Sequence, residues 1–470
     1  MTEFGKQLRP IETSIPGLVL WELPVHGDSR GWFKENWQRE KMVGAGLPDF
    51  GPVQNNISFN DAVGTTRGIH AEPWDKWVSV AAGRIFGAWV DLREGPTFGA
   101  VFTAEIDPSR AIFVPRGVGN AYQTLEPDTA YSYLVNDHWS PDASYTFLNL
   151  ADETLAIGWP IPLADVEISA KDLAHPRLAD VTPVPPRRIL VIGAAGQLGR
   201  ALRARLGENE RVEYADRADL DIADTRSLQD ARRWRDYETI INAAAYTAVD
   251  AAETPAGRRD AWAINVTAVA AVARIAAENG ITLVHISSDY VFDGEQDRPY
   301  LEDDPVSPLS VYGQTKAAGD AIVAGVPRHL IVRTSWVIGA GKNFVTTMRS
   351  LAERGIDPRV VDDQLGRLTF ADELARGVLH LLGSNAAPGI YNLTGAGTPM
   401  TWAEVAQTVF AMCGHDPARV TPVSSAQYFA DAPVAAPRPA NSVLDLGSIT
   451  ATGFAPRDAA ESLREYLAAP

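Results

Sequence analysis

The chain has 470 residues, 46% of them hydrophobic and 21% charged, and its 42 Lys and Arg against 59 Asp and Glu give a net charge of −17. That balance excludes general binding to nucleic acid or a membrane surface, which needs clustered cations to neutralise phosphate, so neither is expected as a partner. The single cysteine, Cys413, excludes an internal disulfide and a cysteine-rich metal cage; with no basic-then-apolar leader after Met1 and no apolar run of the roughly 18–20 residues a bilayer span needs, a soluble cytoplasmic protein is expected.

This length exceeds what one hydrophobic core usually serves, and two styles of sequence divide it. Residues 1–180 hold eight of the twelve Trp and many short apolar runs broken by Gly and Pro, the pattern of an all-β domain. Residues 189–470 alternate apolar runs with Ala-rich helical stretches, the pattern of an α/β domain. Between them, residues 181–188 place Pro183, Pro185 and Pro186 close together, which predicts a short, stiff linker.

In chain order, the first half presents Asp28-Ser-Arg30-Gly-Trp-Phe33-Lys-Glu35, then Gln54-Asn-Asn56, Arg67-Gly-Ile-His70 and Lys76. Asn120, Tyr133, His138 and Asp172 follow. A lone His on a strand is usually a hydrogen-bonded structural residue. A carboxylate beside it fixes the tautomer and supports the imidazolium, which is what a proton-abstracting base needs. No HxH spacing accompanies His70, so no metal is expected.

The second half opens with the buried-strand run Arg188–Ile192, which leads into Gly193-Ala-Ala-Gly196-Gln197-Leu198-Gly199 and a helical stretch. Glycines in such a turn admit positive φ and let backbone amides approach a pyrophosphate at a helix N-terminus. The next apolar segment ends at Asp216-Arg217, where a ribose-binding acid or a 2′-phosphate-binding base is expected, with Asp221 and Ile222 close behind; NADPH and NADH both stay open as cofactor. Two further strand ends, Ala243-Ala244-Ala245 and Ser287-Ser288-Asp289-Tyr290, fall where a parallel sheet binds ligands. Tyr312 and Lys316 share a helix face after Ser310, a predicted N-cap. There the ammonium is expected to lower the phenol's pKa, so that Tyr312 exchanges a proton with a carbonyl oxygen as hydride arrives.

On these motifs, with Ile241–Asp250, Ser288–Gly294, Arg333–Trp336, Gly341–Phe344 and Val361–Gln364, the second half resembles the extended short-chain dehydrogenases, and within them the dTDP-4-dehydrorhamnose reductases. The resemblance implies a doubly wound Rossmann-type sheet with a small substrate lobe built largely from residues after about 340. It implies a catalytic trio of Ser288, Tyr312 and Lys316, and substrate contacts at Ser288, Asp289, Tyr290, Trp336, Asn343, Gln364 and Arg438. The first half resembles the dTDP-4-dehydrorhamnose 3,5-epimerases through the motifs above and Val114–Gly117, Tyr131–Tyr133, Gly158–Pro160 and Ser169–Asp172. That implies a cupin-type jelly-roll that needs no cofactor, with His70 as base, Asp172 orienting it, Tyr133 as acid and Lys76 stabilising the oxyanion. Arg30, Phe33, Glu35, Gln54, Asn56, Arg67, Asn120 and His138 would hold substrate, and a homodimer would form through this half. Three departures stand out. Lys76 follows His70 by fewer residues than the family usually shows, Asn120 replaces a histidine, and His138 replaces a tyrosine.

Together the halves predict a bifunctional enzyme acting on a dTDP-4-keto-6-deoxyhexose, epimerising at C3 and C5 and then reducing the C4 ketone to give dTDP-L-rhamnose. The alternatives are a working ketoreductase beside a non-catalytic or single-centre cupin half, and a reductase half that serves as a cofactor-sensing regulatory subunit.

Overall fold

A computed structural model describes residues 4–141 and 143–468. The chain divides into two compact units, Met1–Pro186 and Arg187–Pro470.

The first unit is built from short antiparallel strands: β1 (Arg9–Glu12), β2 (Val19–Glu22), the hairpin β3 (Val25–Asp28) and β4 (Gly31–Lys34), a short helix α1 (Arg39–Gly44), β5 (Gln54–Asn60), β6 (Thr66–Ala71), β7 (Lys76–Ala82), β8 (Ile85–Asp91), β9 (Val101–Ile106), β10 (Arg110–Val114), β11 (Val118–Thr124), β12 (Thr129–Val135) and β13 (Thr146–Phe147). A short helix, α2 (Ala170–Leu173), follows. They form a six-stranded sheet in the order β1-β2-β10-β7-β12-β5 and a five-stranded sheet in the order β13-β6-β11-β8-β9. Side chains alternate across each strand, so each sheet turns one face inward. Val78, Val80 and Ile112 from the first sheet meet Ile85, Trp89 and Val118 from the second in one core.

Little of the expected linker is free. Val181 is buried and Val184 packs in the same cluster, with Ile69 of β6 and Leu92, which follows β8. Val184 also bridges Arg93 through the backbone. Arg188 already belongs to the first strand of the second unit. The prolines keep the segment extended, and its two valines find apolar surface on the first unit.

In the second unit β14 (Arg188–Ile192), helix α3 (Gln197–Leu206), β15 (Val212–Ala215), β16 (Tyr237–Asn242), helices α4 (Pro255–Trp262) and α5 (Val269–Glu278), β17 (Thr282–Ser288), helix α6 (Val311–Val323) and β18 (His329–Thr334) succeed one another. The sheet runs β15-β14-β16-β17-β18 and ends with the strand Gly389–Asn392; every pairing is parallel. Alternation sends Leu190, Ile240, Leu283 and Ile331 to one face, against Val269, Val272 and Ile275 of α5. Val191, Ile241, Val284 and Val332 go to the other, against Leu198 and Leu202 of α3 and Leu374 and Val378 of the helix Ala371–Gly383. A separate cluster, from Ile338 to Leu463 and centred on Phe410, forms the core of a smaller lobe. That lobe comes from residues after about 340, although 371–393 return to the main sheet.

Among the described residues, one helical stretch, Pro255–Glu278, is long and apolar enough to cross a membrane by length and composition alone, but half of its most apolar window is buried inside this unit. Its apolar face is the core contact of α5 on the sheet.

Candidate active sites

The first site opens where the middle strands of the two β-sheets approach. A cavity of about 220 Å³ is lined by Ser58, Arg67, Gly68, His70, Glu72, Lys76, Asn120, Tyr122, Tyr131 and Tyr133. Arg67 and His70 are three apart, a spacing that an unbroken strand places on opposite faces. The β6–β11 register slips between Asn120 and Tyr122, and Gly68 adopts φ +125°, with no room for a Cβ because Ala121 Cβ would lie 2.5 Å away. The bulge at this glycine turns both functional side chains into one cavity.

His70 Nε2 lies 2.9 Å from Asp172 Oδ1. Asp172 is held in turn: its own amide donates to the Ser169 N-cap oxygen at 3.1 Å, and its Oδ2 accepts from Gly68 N at 3.5 Å. Burial raises the Asp172 pKa, but the hydrogen bond from His70, the charge of that ring and the Gly68 amide together hold it below the ordinary carboxylate value. Asp172 is therefore an anion suited to accept the Nε2 proton, an arrangement that leaves the ring's lone pair on Nδ1. Tyr133 is pushed up by burial and then by the Glu72 carboxylate, so its phenol stays protonated and can donate. Lys76, despite its unusual spacing, reaches the same cavity. It is buried, pairs with Glu72 and lies 5.8 Å from the Tyr133 ring centroid. Asn120 sits opposite His70 across the strands and donates to the Tyr131 hydroxyl at 3.0 Å.

Other expected contacts lie elsewhere on this unit. Arg30 and Glu35 are paired with Asp28 and Lys41, Phe33 is 65% exposed, and none of the three lines the cavity. His138 Nδ1 meets Gln54 Oε1 at 2.8 Å, and Gln54 Nε2 donates to Asn56 at 2.7 Å; this chain also lies outside the cavity. His175, which the sequence reading passed over, is buried three residues past Asp172, with its Nε2 3.8 Å from Asp172 Oδ1.

The second site lies at the carboxyl ends of the parallel strands, in a cavity of about 550 Å³. Gly196, Gln197, Leu198, Ala243, Ala244, Ala245, Ser288, Asp289, Tyr290, Tyr312, Lys316 and Trp336 all line it. Gly193 and Gly199 stand behind the turn: a Cβ on Gly199 would lie 2.4 Å from Gly193 O and 2.6 Å from Ala194 Cα, both backbone atoms. Gly199→Ala is expected to cost about 1–3 kcal/mol and to weaken dinucleotide binding. Thermal unfolding and the affinity for a dinucleotide check this, and an unchanged pair of values would show that the close approach is dispensable. The N-terminus of α3 has no side-chain cap, and the buried Gln197 Oε1 has no hydrogen-bond partner. Free amides and an orphaned polar atom beside a cavity are the features a dinucleotide pyrophosphate and ribose would satisfy.

Ser288 Oγ donates to Asp289 Oδ1 at 2.8 Å. Ser310 caps α6, accepting from Gly313 N at 3.1 Å, and so sets Tyr312 and Lys316 on one face. Lys316 Nζ donates to Ile286 O at 2.6 Å and lies 3.4 Å from His285 Nε2. The expected lowering of Tyr312 is not what this environment gives: burial and the Asp289 charge push the phenol well up, and the Ser288 hydrogen bond offsets them only in part. Tyr312 is therefore a firmly protonated donor. Burial pushes Lys316 down to about 8 and Asp289 up to about 6.

Several expected residues have structural roles. Ile222 is in the hydrophobic core. Asn343 caps its helix and donates to Gly339 O and Tyr466 Oη, and Gln364 donates to Ser425 Oγ at 2.9 Å; neither lines the cavity. Arg438 makes a two-pronged pair with Asp250, both at 2.8 Å, and borders Tyr290. Asp216 spends Oδ1 on Ala218 N at 2.7 Å, while Arg217 is largely exposed and 3.4 Å from Asp221.

A family model described as dTDP-4-dehydrorhamnose 3,5-epimerase matches residues 12–180, and one described as RmlD substrate binding domain matches residues 187–469. The first half is similar to the RmlC homolog of Streptococcus pyogenes serotype M6, with 52% identity over 197 residues, 40% of this chain and 99% of that protein. The chain belongs to both families. Its second half is similar to dTDP-4-dehydrorhamnose reductase of Mycobacterium tuberculosis, with 38% identity over 292 residues, 60% of this chain and 93% of that one. It also superimposes on the dTDP-4-dehydrorhamnose reductase of Bacillus anthracis solved in complex with NADP, at 32% identity and a TM-score of 0.55, covering 60% of this chain and 98% of that one.

Proposed function

We propose that this chain is a bifunctional enzyme that epimerises dTDP-4-keto-6-deoxyglucose at C3 and C5 and then reduces the C4 ketone with NADPH to give dTDP-L-rhamnose. The observation that carries the reading is that one chain holds two cavities, each with its own complete proton-handling set: His70–Asp172 with Tyr133 and Lys76, and Ser288–Tyr312–Lys316. The first unit is read as a cupin-type jelly-roll and the second as a doubly wound Rossmann-type fold, in keeping with their sheet orders.

In the first site His70 Nδ1 removes the proton α to the ketone, and Asp172 balances the resulting imidazolium. Lys76 supplies a cation for the enolate oxygen, and the protonated Tyr133 returns a proton from the other side. The exposed hairpin that carries Arg30 and Phe33 is read as completing the site of a second copy, which makes a homodimer through this half the expected assembly. In the second site, Gly193 to Gly199, Gln197 and Ala243 to Ala245 would hold NADPH, which when bound supplies the hydride. Tyr312 gives its proton to the carbonyl oxygen, and Ser288 turns its hydroxyl from Asp289 to hydrogen-bond that oxygen. Lys316 provides positive charge beside the phenolate that forms.

Incubation with dTDP-4-keto-6-deoxyglucose in D₂O without nicotinamide is expected to place deuterium at C3 and C5, and NADPH added afterwards is expected to be oxidised. Deuterium at one centre only would reduce the first half to a single-centre epimerase; none at all would make it a binding module. The turnover number for reduction is expected to fall as pH rises through about 8, where Lys316 loses its proton. A pH profile of kcat flat from 5 to 10 would contradict this role.

A further inference from the structure

Behind the His70–Asp172 pair stands a side chain that the proton chemistry does not use. His175 is 8% exposed, and its ring nitrogens make no hydrogen bond of ordinary geometry, only a weak interaction with the Leu148 backbone. A buried imidazole so weakly satisfied needs an explanation. Its Nε2 lies 3.8 Å from Asp172 Oδ1, the same oxygen that His70 Nε2 approaches to 2.9 Å. One ligand atom from each of the three residues lies within 4.8 Å of the other two. Phe147 stacks on the His175 ring, with centroids 4.8 Å apart, and meets the His70 ring edge-on at 5.5 Å, so both imidazoles rest on one aromatic wall. Burial lowers the His175 pKa, and the neighbouring His70 lowers it further. Its neutral form, with a free lone pair, is the one a metal ion takes.

We propose that His70, Asp172 and His175 form a binding site for one transition-metal dication of the Zn²⁺ class, and that its occupation reversibly switches off the epimerase half. Metal–nitrogen and metal–oxygen bonds of about 2.0–2.2 Å in a tetrahedron set neighbouring ligands about 3.3–3.5 Å apart. The two pairs at 2.9 and 3.8 Å bracket that spacing. The donor set is two imidazoles and one carboxylate, three protein ligands that leave a fourth tetrahedral position to a water. Such a set selects Zn²⁺, Co²⁺ or Cu²⁺ over Mg²⁺ and Ca²⁺, which prefer oxygen alone. Asp172 Oδ2 stays on the Gly68 amide, leaving Oδ1 for the ion.

Inhibition follows from the electron count of the imidazole, and this consequence rests on the epimerase reading while the binding itself does not. A neutral ring has one lone pair and one N–H. With Asp172 accepting the Nε2 proton, the lone pair is on Nδ1 and abstracts the substrate proton. An ion bound to Nε2 takes the lone pair there and moves the ring proton to Nδ1, so no base faces the substrate. The carboxylate that would balance the imidazolium is shared with the ion at the same time.

The test uses the untagged full-length chain, stripped of metal by a chelator and titrated with Co²⁺. The expected result is a low-coordinate visible Co²⁺ spectrum that saturates at about one equivalent and is displaced by Zn²⁺. It should be lost in His175→Ala, His175→Gln and His70→Ala, with thermal unfolding confirming that each variant folds. In wild type, Zn²⁺ should abolish deuterium incorporation at C3 and C5 over the same titration, and EDTA should restore it. Three results would overturn the proposal: no Co²⁺ uptake by wild type, uptake that persists in a folded His175 variant, or a bound ion that leaves deuterium incorporation intact. A chain that takes up Co²⁺ at these residues but never exchanges deuterium would confirm the site and refute the epimerase reading and the switch with it.

Discussion

His70→Ala is expected to slow deuterium incorporation at C3 and C5 by on the order of 10²–10⁴-fold, the range that a positioned general base contributes. The chain should still oxidise NADPH when given sugar that has already been epimerised. The reason is local: among the described residues lining this cavity, His70 is the one imidazole, and its tautomer is set by Asp172 at 2.9 Å. Asp172→Asn should lie between wild type and His70→Ala. It keeps a partner at Nε2, but an amide that donates there forces the lone pair onto Nε2 and away from Nδ1, and it removes the charge that balances the imidazolium. Undiminished exchange in His70→Ala would move the base to Glu72, the other proton acceptor at this wall, which the Lys76 pair otherwise occupies.

Tyr312→Phe is expected to lower NADPH oxidation by a similar order, about 10²–10⁴-fold, with deuterium incorporation unaffected. Burial and Asp289 hold this phenol protonated across the working range, so it has a proton to give as the alkoxide forms, and phenylalanine has none. Because the ring itself packs edge-on against Tyr290, with centroids 5.6 Å apart, the substitution preserves shape, and NADPH affinity measured by fluorescence should change little. Loss of cofactor binding in this variant would assign Tyr312 to the cofactor rather than to the carbonyl.

The sequence made the chemistry more legible than the supporting geometry. Arg67 to His70 was readable as a motif, but an intact strand would point these two side chains in opposite directions; only the bulge at Gly68 brings them together, and register is a tertiary property. His175 carried no spacing signal, because its relation to His70 arises where α2 folds back beneath β6. Lys76 looked displaced when residues were counted, yet it enters the cavity as the first residue of β7. Asn343 was read as a substrate contact although Asn343 and Thr346 form a capping box, a pattern visible locally. Gln364 came with its motif and Ile222 with the segment after Asp216; Gln364 donates to Ser425 and Ile222 is in the core. The Tyr312–Lys316 spacing fixed a shared helix face, but not the pKa, since burial depends on the whole unit. Within residues 181–188, Val181 and Val184 pack on the first core, as their apolarity allows.

The claim that one chain performs both steps is tested most directly by giving wild-type protein dTDP-4-keto-6-deoxyglucose and NADPH together in D₂O and reading the product by NMR. The account predicts dTDP-L-rhamnose with deuterium at C3 and C5 and one NADPH oxidised per sugar. A C4-reduced sugar that keeps protium and its original configuration at both carbons would contradict it.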